Sequence, residues 1–171
     1  MKFLSKLFDR ILDCFALMGA TLCIIMMLGV FADVILRFFF NKPSGWVVEY
    51  AEYSLLYITF LSAAWVLREQ RHVKLDLVLE RIKPGRQNFI NGLTSGIGMI
   101  IFIVFTWYAF TSTLHFYDLG YRMATSLRTL KWPIIAVIPV GSLLISLQFL
   151  RMSIASFRSW KTSTRLVVRS K

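Results

Sequence analysis

The chain has 171 residues, of which 57% are hydrophobic and 17% are charged, and its formal net charge is +11. A typical soluble domain has about 45–50% apolar and about 25% charged residues, so this composition argues against a soluble globular domain. The basic residues lie in short stretches between apolar blocks, without a zinc motif or an aromatic-basic groove, which argues against nucleic-acid binding.

Four apolar blocks follow one another along the chain and predict an all-α, polytopic membrane protein with four transmembrane helices in one domain of residues 1–171. About 20 helical residues cross a hydrocarbon core of about 30 Å, and each block can cross once. The predicted spans are residues 14–36, 46–67, 89–114 and 133–150. The first is longer than the apolar part of a signal peptide and no Ala-x-Ala site follows it, so we expect an uncleaved anchor.

Lysine and arginine residues are distributed unevenly among the segments that flank these spans. The N-terminal segment, the loop after the second span and the C-terminal tail contain 15, whereas the other two loops contain 5. The three basic segments lie on one side of a four-span protein, and positively charged flanks remain in the cytoplasm. We therefore expect both termini and the middle loop to be cytoplasmic.

Two segments beside the spans have apolar residues at helical spacing, which predicts short amphipathic helices on the cytoplasmic face. They are residues 3–12 and residues 75–82, the second of which precedes the break at Pro84-Gly85. An extension of the first span explains the periodicity of residues 3–12 as well, so both interpretations stay open there. Small residues at Gly92, Gly96 and Gly98 predict a close helix contact in the third span.

Ionisable residues occur at the outer ends of the first two spans. Asp33 lies four residues before Arg37, so we expect an ion pair near the outer interface, with a contact to a partner helix or loop as the alternative. Glu49 and Glu52 share a face near the N-terminus of the second span, where the helix dipole favours carboxylates. We expect them to contact another subunit. Ion coupling is the alternative, but the last two spans lack an acidic or basic residue to complete such a site.

Sites for catalysis, metals and cofactors are not predicted. His72 and His115 lie on opposite sides of the membrane in this topology, so they cannot pair as haem or metal ligands within one chain. The sequence contains no P-loop, dinucleotide fingerprint, nucleophile elbow or metal-binding cluster. We therefore expect a protein that is not an enzyme and that holds no cofactor.

The second span and its flanks carry a recognisable pattern. It comprises Arg37-Phe38, Trp46, Glu49, Glu52, Leu56, Phe60, Ala63-Ala64, Arg68, His72-Val73 and Leu75-Asp76, followed later by Trp132-Pro133 and Pro139-Val140-Gly141. This pattern resembles the small, DctQ-like permease subunit of tripartite ATP-independent periplasmic (TRAP) transporters of bacteria and archaea. The similarity covers nearly the whole chain, and its most specific part is the stretch from Arg37 to Asp76.

The resemblance implies a scaffold in the bacterial inner membrane, with a large elevator-type permease subunit and a periplasmic substrate-binding protein as its partners. The large subunit would carry the substrate and sodium sites, and the cargo would be an organic acid such as a C4-dicarboxylate, a keto acid or a sialic acid. Candidate residues at the subunit or outer interface are Asp33, Arg37, Trp46, Glu49 and Glu52. Candidates for docking the binding protein are Arg122, Arg128 and Lys131, in the polar segment 115–131.

Two other classes of protein predict different residues. A self-sufficient four-helix transporter that acts as a dimer would need a carboxylate in the middle of a span, and this sequence has none there. A haem- or quinone-binding redox anchor would need paired membrane histidines, which are also absent from the predicted spans.

Overall fold

A computed structural model describes residues 2–40, 45–69, 84–124 and 128–169, and these segments are almost entirely helical. The helices, numbered in chain order, are α1 (Lys2–Phe40), α2 (Gly45–Glu69), α3 (Pro84–Asp118), α4 (Lys131–Ile135) and α5 (Val137–Arg169). The only β-type pairing in the described segments is one antiparallel bridge between Arg122 and Leu130. The predicted all-α class is therefore confirmed for the described part of the chain.

The helices are longer than the spans that hydropathy predicts. At 1.5 Å per residue, the 39 residues of α1 reach about 58 Å, nearly twice the thickness of a hydrocarbon core. The segment 3–12 belongs to this single helix, so it extends the first span and is not a separate interfacial helix. The other predicted interfacial segment, residues 75–82, lies outside the described residues.

Three helical segments among the described residues are long and apolar enough to cross a membrane: Ser5–Phe40, Ile90–Asp118 and Lys131–Lys161. Helix α2 has 25 residues, which reach about 38 Å, but its glutamate, tyrosine and serine residues make it less apolar than these three. The count of four spans therefore stays a prediction.

Two prolines explain the short break between α4 and α5. Pro139 has no N–H group, so the carbonyl of Ile135 cannot receive its usual helical hydrogen bond. The turn falls at Ala136, whose N–H donates to the carbonyl of Trp132 at 3.0 Å. Pro133 lies in the first turn of α4, where proline is tolerated. The fourth predicted span, residues 133–150, thus begins in α4, passes through this turn and continues into α5.

Helix α5 lies at the centre of the molecule, because it packs against both α2 and α3, while α1 packs on α2. The order in space is therefore α1, α2, α5, α3. In the most apolar part of each segment, 39% of residues are buried for α4–α5 but only 6% for α1 and 6% for α3. The apolar core is small and lies where α1, α2 and α5 meet, around Leu12, Ala64, Leu144 and Ile145.

Glycines set the closest helix contacts. A Cβ atom added at Gly141 in α5 would lie 2.6 Å from the backbone oxygen of Phe60 in α2. In α3, Gly92 and Gly98 receive the rings of Phe157 and Phe149 from α5, and added Cβ atoms would lie 3.2 Å and 3.0 Å from them. The close helix contact predicted from the small residues of the third span is thus confirmed, with α5 as the partner.

Candidate functional site

The two ends of the molecule carry different polar groups. We call the end that contains the bridge between Arg122 and Leu130 the hairpin end, and the end that contains Asp9 and Arg151 the network end. The C-terminus of α1 and the N-terminus of α2 lie at the hairpin end, since Tyr53 and Tyr57 of α2 contact residues of the segment that follows α3. All the candidate residues from the sequence lie at this end.

Asp33 and Arg37 form the ion pair expected from their spacing. Arg37 Nη2 lies 3.0 Å from Asp33 Oδ2, and the Asp33 side chain is almost fully buried whereas that of Arg37 is largely exposed. The pair therefore holds its carboxylate against the protein and presents part of its guanidinium to the surroundings. Its role as a subunit contact stays a prediction.

The three candidates on α2 differ in exposure. Glu49 is buried, with a relative exposure of 9%, whereas Glu52 and Trp46 are exposed. Residues three apart on a helix point about 60° away from each other, so one of the two glutamates faces the helix packing and the other lies at its edge. Trp46 contacts Tyr50 edge to face, with ring centroids 5.9 Å apart. Glu52 and Trp46 thus remain accessible to a partner.

The segment after α3 forms a short hairpin that presents two arginines. The N–H of Met123 donates to the carbonyl of Thr129 at 3.0 Å, and the N–H of Lys131 donates to the carbonyl of Tyr121 at 3.1 Å. Arg122 and Arg128 lie on opposite strands of this hairpin, and both are exposed. Both positive charges are therefore available at the surface of the same short hairpin.

Lys131 differs from the two arginines because aromatic rings cover its charge. Its Nζ lies 4.0 Å from the centroid of the Phe116 ring and 5.6 Å from that of Tyr121. Such cation–π contacts contribute on the order of 0.5–1 kcal/mol at partly exposed sites. Lys131 therefore fastens the hairpin to the end of α3, which makes it a weaker docking candidate than the arginines.

Helix α2 fixes the hairpin from the other side. The hydroxyl of Tyr57 donates to the carbonyl of Pro133 at 2.7 Å, and the hydroxyl of Tyr53 contacts the sulfur of Met123 at 3.6 Å. The hairpin is thus attached to both α2 and α3. Because Glu52 lies next to Tyr53, the exposed glutamate and the exposed arginines belong to one end of a connected structure.

The network end holds a cluster that the sequence did not single out. Arg151 of α5 binds the Asp9 carboxylate of α1, with Nη2 3.1 Å from Oδ2, and also contacts the hydroxyl of Ser5. Arg68 of α2 donates to the backbone oxygen of Asp9 at 3.1 Å and pairs with the carboxylate of Asp13. The hydrogen bond that Arg68 donates to the Asp13 carboxylate raises the pKa of Arg68 above its ordinary value, so this guanidinium stays charged. Three helices are therefore joined by ion pairs here.

One polar side chain inside the core was also missed. Gln148 is fully buried, and neither its amide nitrogen nor its amide oxygen has a hydrogen-bond partner among the described residues. It lies on α5 one turn before Arg151, so it belongs to the part of the core nearest the network. By contrast, the buried hydroxyl of Ser142 of α5 accepts a hydrogen bond from Thr106 of α3 at 2.9 Å.

Comparisons with known proteins identify the family. The chain is 23% identical over 163 residues to the sialic acid TRAP transporter permease protein SiaT of Haemophilus influenzae (strain 86-028NP), which matches 95% of this chain and 25% of that protein. The chain thus spans about a quarter of the length of this relative. The family model of the DctQ component of tripartite ATP-independent periplasmic transporters matches residues 26–159, a stretch that runs from the middle of α1 to the far part of α5 and includes the hairpin. With most of its helices and its hairpin inside that match, the chain belongs to the DctQ family of TRAP transporter membrane components.

Proposed function

We propose that this chain is the small subunit of a TRAP importer, which braces a larger permease subunit and helps to receive a periplasmic binding protein. The cargo is an organic acid, such as a C4-dicarboxylate, a keto acid or a sialic acid, and its uptake is coupled to sodium. The family match over residues 26–159 is the observation that carries this proposal. The name of the relative from Haemophilus influenzae adds support for a carboxylate as cargo.

The topology that goes with this function has four spans in the inner membrane. Helix α2 is the second span in chain order and brings the count to four, since its length of 25 residues exceeds what the hydrocarbon core requires. Both termini and the middle loop are cytoplasmic, which the 15 basic residues of those segments favour over the 5 on the other side. The network end then faces the cytoplasm and the hairpin end faces the periplasm.

A bracing role fits the arrangement of the helices better than a transport pathway within this chain. The sequence has no acidic or basic residue between positions 90 and 114 or between positions 133 and 150. The open order α1, α2, α5, α3 leaves the flanking helices α1 and α3 almost entirely exposed. Exposed apolar helices of this kind provide a large surface for lipid and for helices of a larger subunit.

The hairpin end provides the surfaces for both partners. Arg37, Trp46 and Glu52 are exposed there at the junction of α1 and α2, where they meet the large subunit together with the buried Asp33 and Glu49. The exposed Arg122 and Arg128 attract an acidic patch of the binding protein, because complementary charge speeds encounter and fixes orientation. Lys131 contributes by fixing the hairpin.

The test is reconstitution with defined partners. The chain is co-expressed with a large permease subunit from a TRAP system, and the purified complex is placed in liposomes with the binding protein, a labelled organic acid and a sodium gradient. We expect co-purification of the two subunits, and uptake only when all three components and sodium are present. Liposomes that contain this chain alone serve as the control and should show no uptake.

The same experiment distinguishes the scaffold function from the alternative, a self-sufficient transporter. Robust uptake or efflux by the chain alone, with the large subunit absent, would overturn the scaffold function and favour a dimer that carries its own solute. Failure of the two subunits to co-purify from any mild detergent would count against the bracing role itself.

A further inference from the structure

A groove on the lipid-facing surface lies between α1 and α2, on the half of the molecule that contains the network end. It is lined by residues 13–23 of α1 and residues 58–66 of α2, and its volume is about 540 Å³. Small side chains at Ala16, Gly19 and Ala20 keep this part of α1 narrow, and a Cβ atom added at Gly19 would already touch the backbone oxygen of Ile58 at 3.7 Å. The groove is therefore the gap beside a close helix contact, and its walls are almost entirely apolar.

The length of the groove matches one leaflet of a bilayer. The ten helical steps from Asp13 to Cys23 rise about 15 Å along α1, which is half of the roughly 30 Å hydrocarbon core. Beyond Cys23 the exposed surface of α1 carries larger side chains, such as Ile24, Met27 and Leu28. A transmembrane helix from a partner would need a contact surface of the full membrane depth, whereas a single acyl chain needs only half of it.

Two exposed basic residues of α1 lie beyond the groove, on its side toward the network end. Lys6 and Arg10 lie seven and three residues before Asp13, so they follow the same face of α1, and both are exposed. The Asp13 carboxylate is itself paired with Arg68, which leaves the positive charge of Lys6 and Arg10 to dominate the mouth. Trp65 lines the groove near this mouth, at the level where amphipathic rings favour the boundary between headgroups and acyl chains.

We infer that this groove binds one acyl chain of an anionic phospholipid, whose phosphate lies beside Lys6 and Arg10. The lipid comes from the leaflet at the network end and fills the space that the small residues leave between α1 and α2. It thereby fixes the angle of α1, which has little other burial in its span. This inference goes beyond the proposed function and depends only on α1 and α2 crossing the membrane.

The experiment measures phospholipid retained by the full-length chain. The protein is exchanged from detergent into nanodiscs of equal parts phosphatidylglycerol and phosphatidylcholine, released gently, and analysed by native mass spectrometry. Ala20→Trp fills the groove, and Ala32→Trp is the matched control, because Ala32 is exposed on α1 outside the groove. We expect one retained phosphatidylglycerol in the wild type and in Ala32→Trp, and a loss of about tenfold in Ala20→Trp, because the acyl chain loses buried CH₂ groups.

A second pair of variants tests the headgroup site. The double variant Lys6→Gln and Arg10→Gln should lower the preference for phosphatidylglycerol over phosphatidylcholine by about thirtyfold, because two basic residues near an anionic surface together contribute about 2 kcal/mol. The double variant Arg122→Gln and Arg128→Asn makes the same change of charge at the hairpin end and should leave the preference unchanged.

A photo-crosslinking amino acid at position 20 then identifies the occupant in the membrane. We expect it to label phospholipid, both in the chain alone and in its complex. Labelling of a large permease subunit or of a second copy of this chain would overturn the inference, as would undiminished lipid retention in Ala20→Trp. None of these readouts involves uptake, so a failure here leaves the transport proposal standing, and a failure of transport leaves the lipid site standing.

Discussion

Arg151 of α5 binds Asp9 of α1, a residue 142 positions earlier in the chain, through both terminal nitrogens, Nη1 and Nη2, of its guanidinium group. Each side chain is about two-thirds buried, with exposures of 32% and 33%. Arg68 of α2 donates to the backbone oxygen of the same Asp9. One acidic residue thus receives contacts from two other helices, at the end of a molecule whose apolar core is small.

We predict that Arg151→Gln destabilises the helix assembly, because it leaves Asp9 with fewer compensating charges. The expected change in the free energy of unfolding is about 1–2 kcal/mol, since the pair is only partly screened by solvent. Thermal unfolding in detergent, followed by circular dichroism, measures it. Lys161→Gln, an exposed residue on the same helix, should change the midpoint little. A double-mutant cycle with Asp9→Asn should show a coupling of at least about 0.5 kcal/mol, and additive effects would contradict the prediction.

Gln148 provides a prediction of the opposite sign. Its amide is fully buried and has no hydrogen-bond partner among the described residues, and such a group costs about 1–3 kcal/mol. Gln148→Leu has nearly the same volume and removes the polar atoms, so it should raise the unfolding midpoint. Gln148→Ala removes the same atoms but leaves a cavity, and should stabilise less or destabilise. A lowered midpoint for Gln148→Leu would contradict the prediction, because it would mean that the buried amide stabilises the assembly.

Gly141 tests the contact between α2 and α5. A Cβ atom at this position would lie 2.6 Å from the backbone oxygen of Phe60, which cannot move without shifting α2. We expect Gly141→Ala to destabilise the assembly by about 2 kcal/mol or more through overpacking. Gly29→Ala is the control, because no atom lies within 4 Å of an added Cβ at Gly29, and it should be neutral or stabilise the helix. Equal unfolding midpoints for the two variants would show that α2 and α5 do not pack closely at Gly141.

Local periodicity predicts a large part of this structure. The first three apolar blocks each lie within one helix, the i, i+4 spacing predicts the pair of Asp33 and Arg37, and the small residues of α3 predict a close contact. These features depend only on neighbours within about one or two turns of the same helix. For the same reason, hydropathy underestimates the lengths of the helices, because polar residues that continue α1 and α5 beyond the apolar blocks do not interrupt a helix.

Contacts between distant helices were not predictable in this way. Asp9 and Asp13 look like the solvated face of an amphipathic segment until the packing of α1 against α2 brings Arg68 to them and α5 brings Arg151. Gln148 is uncharged and does not interrupt an apolar run, so hydropathy gives no sign that it lies in the core. The ion pairs of Asp9 and Asp13 and the burial of Gln148 depend on which helices are neighbours. Local patterns in the sequence of one chain do not determine the order of the helices in space.

A charge reversal at Glu52 tests whether this part of α2 contacts the large subunit. It is exposed near the N-terminus of α2, and Glu52→Arg reverses its charge at a place where the helix dipole already favours a carboxylate. We expect about a tenfold loss of co-purified large subunit, because a reversed charge at an interface introduces repulsion. Asp118→Arg makes the same charge reversal at the exposed end of α3 and serves as the control. Equal recovery of the complex with both variants would show that the α2 edge does not contact the large subunit.

Neutralising the two hairpin arginines tests whether they dock the binding protein. Arg122→Gln removes one charge, and Arg128→Asn removes the other while suiting the backbone, because Arg128 has a φ of +46° and asparagine tolerates this left-handed region better than most residues. The double variant should raise the concentration of binding protein that gives half-maximal uptake by about tenfold at low salt, with a smaller effect as salt screens the charges. The maximal rate and the recovery of the membrane complex should stay unchanged, because the hairpin keeps its backbone hydrogen bonds to Thr129 and Tyr121. An unchanged dependence of uptake on binding-protein concentration in the arginine double variant would place the docking surface elsewhere.

A substitution of Lys131 should give a different result from the arginine double variant. Lys131→Gln loses the contact with the Phe116 ring and loosens the hairpin itself. It should therefore lower the unfolding midpoint as well as the affinity for the binding protein.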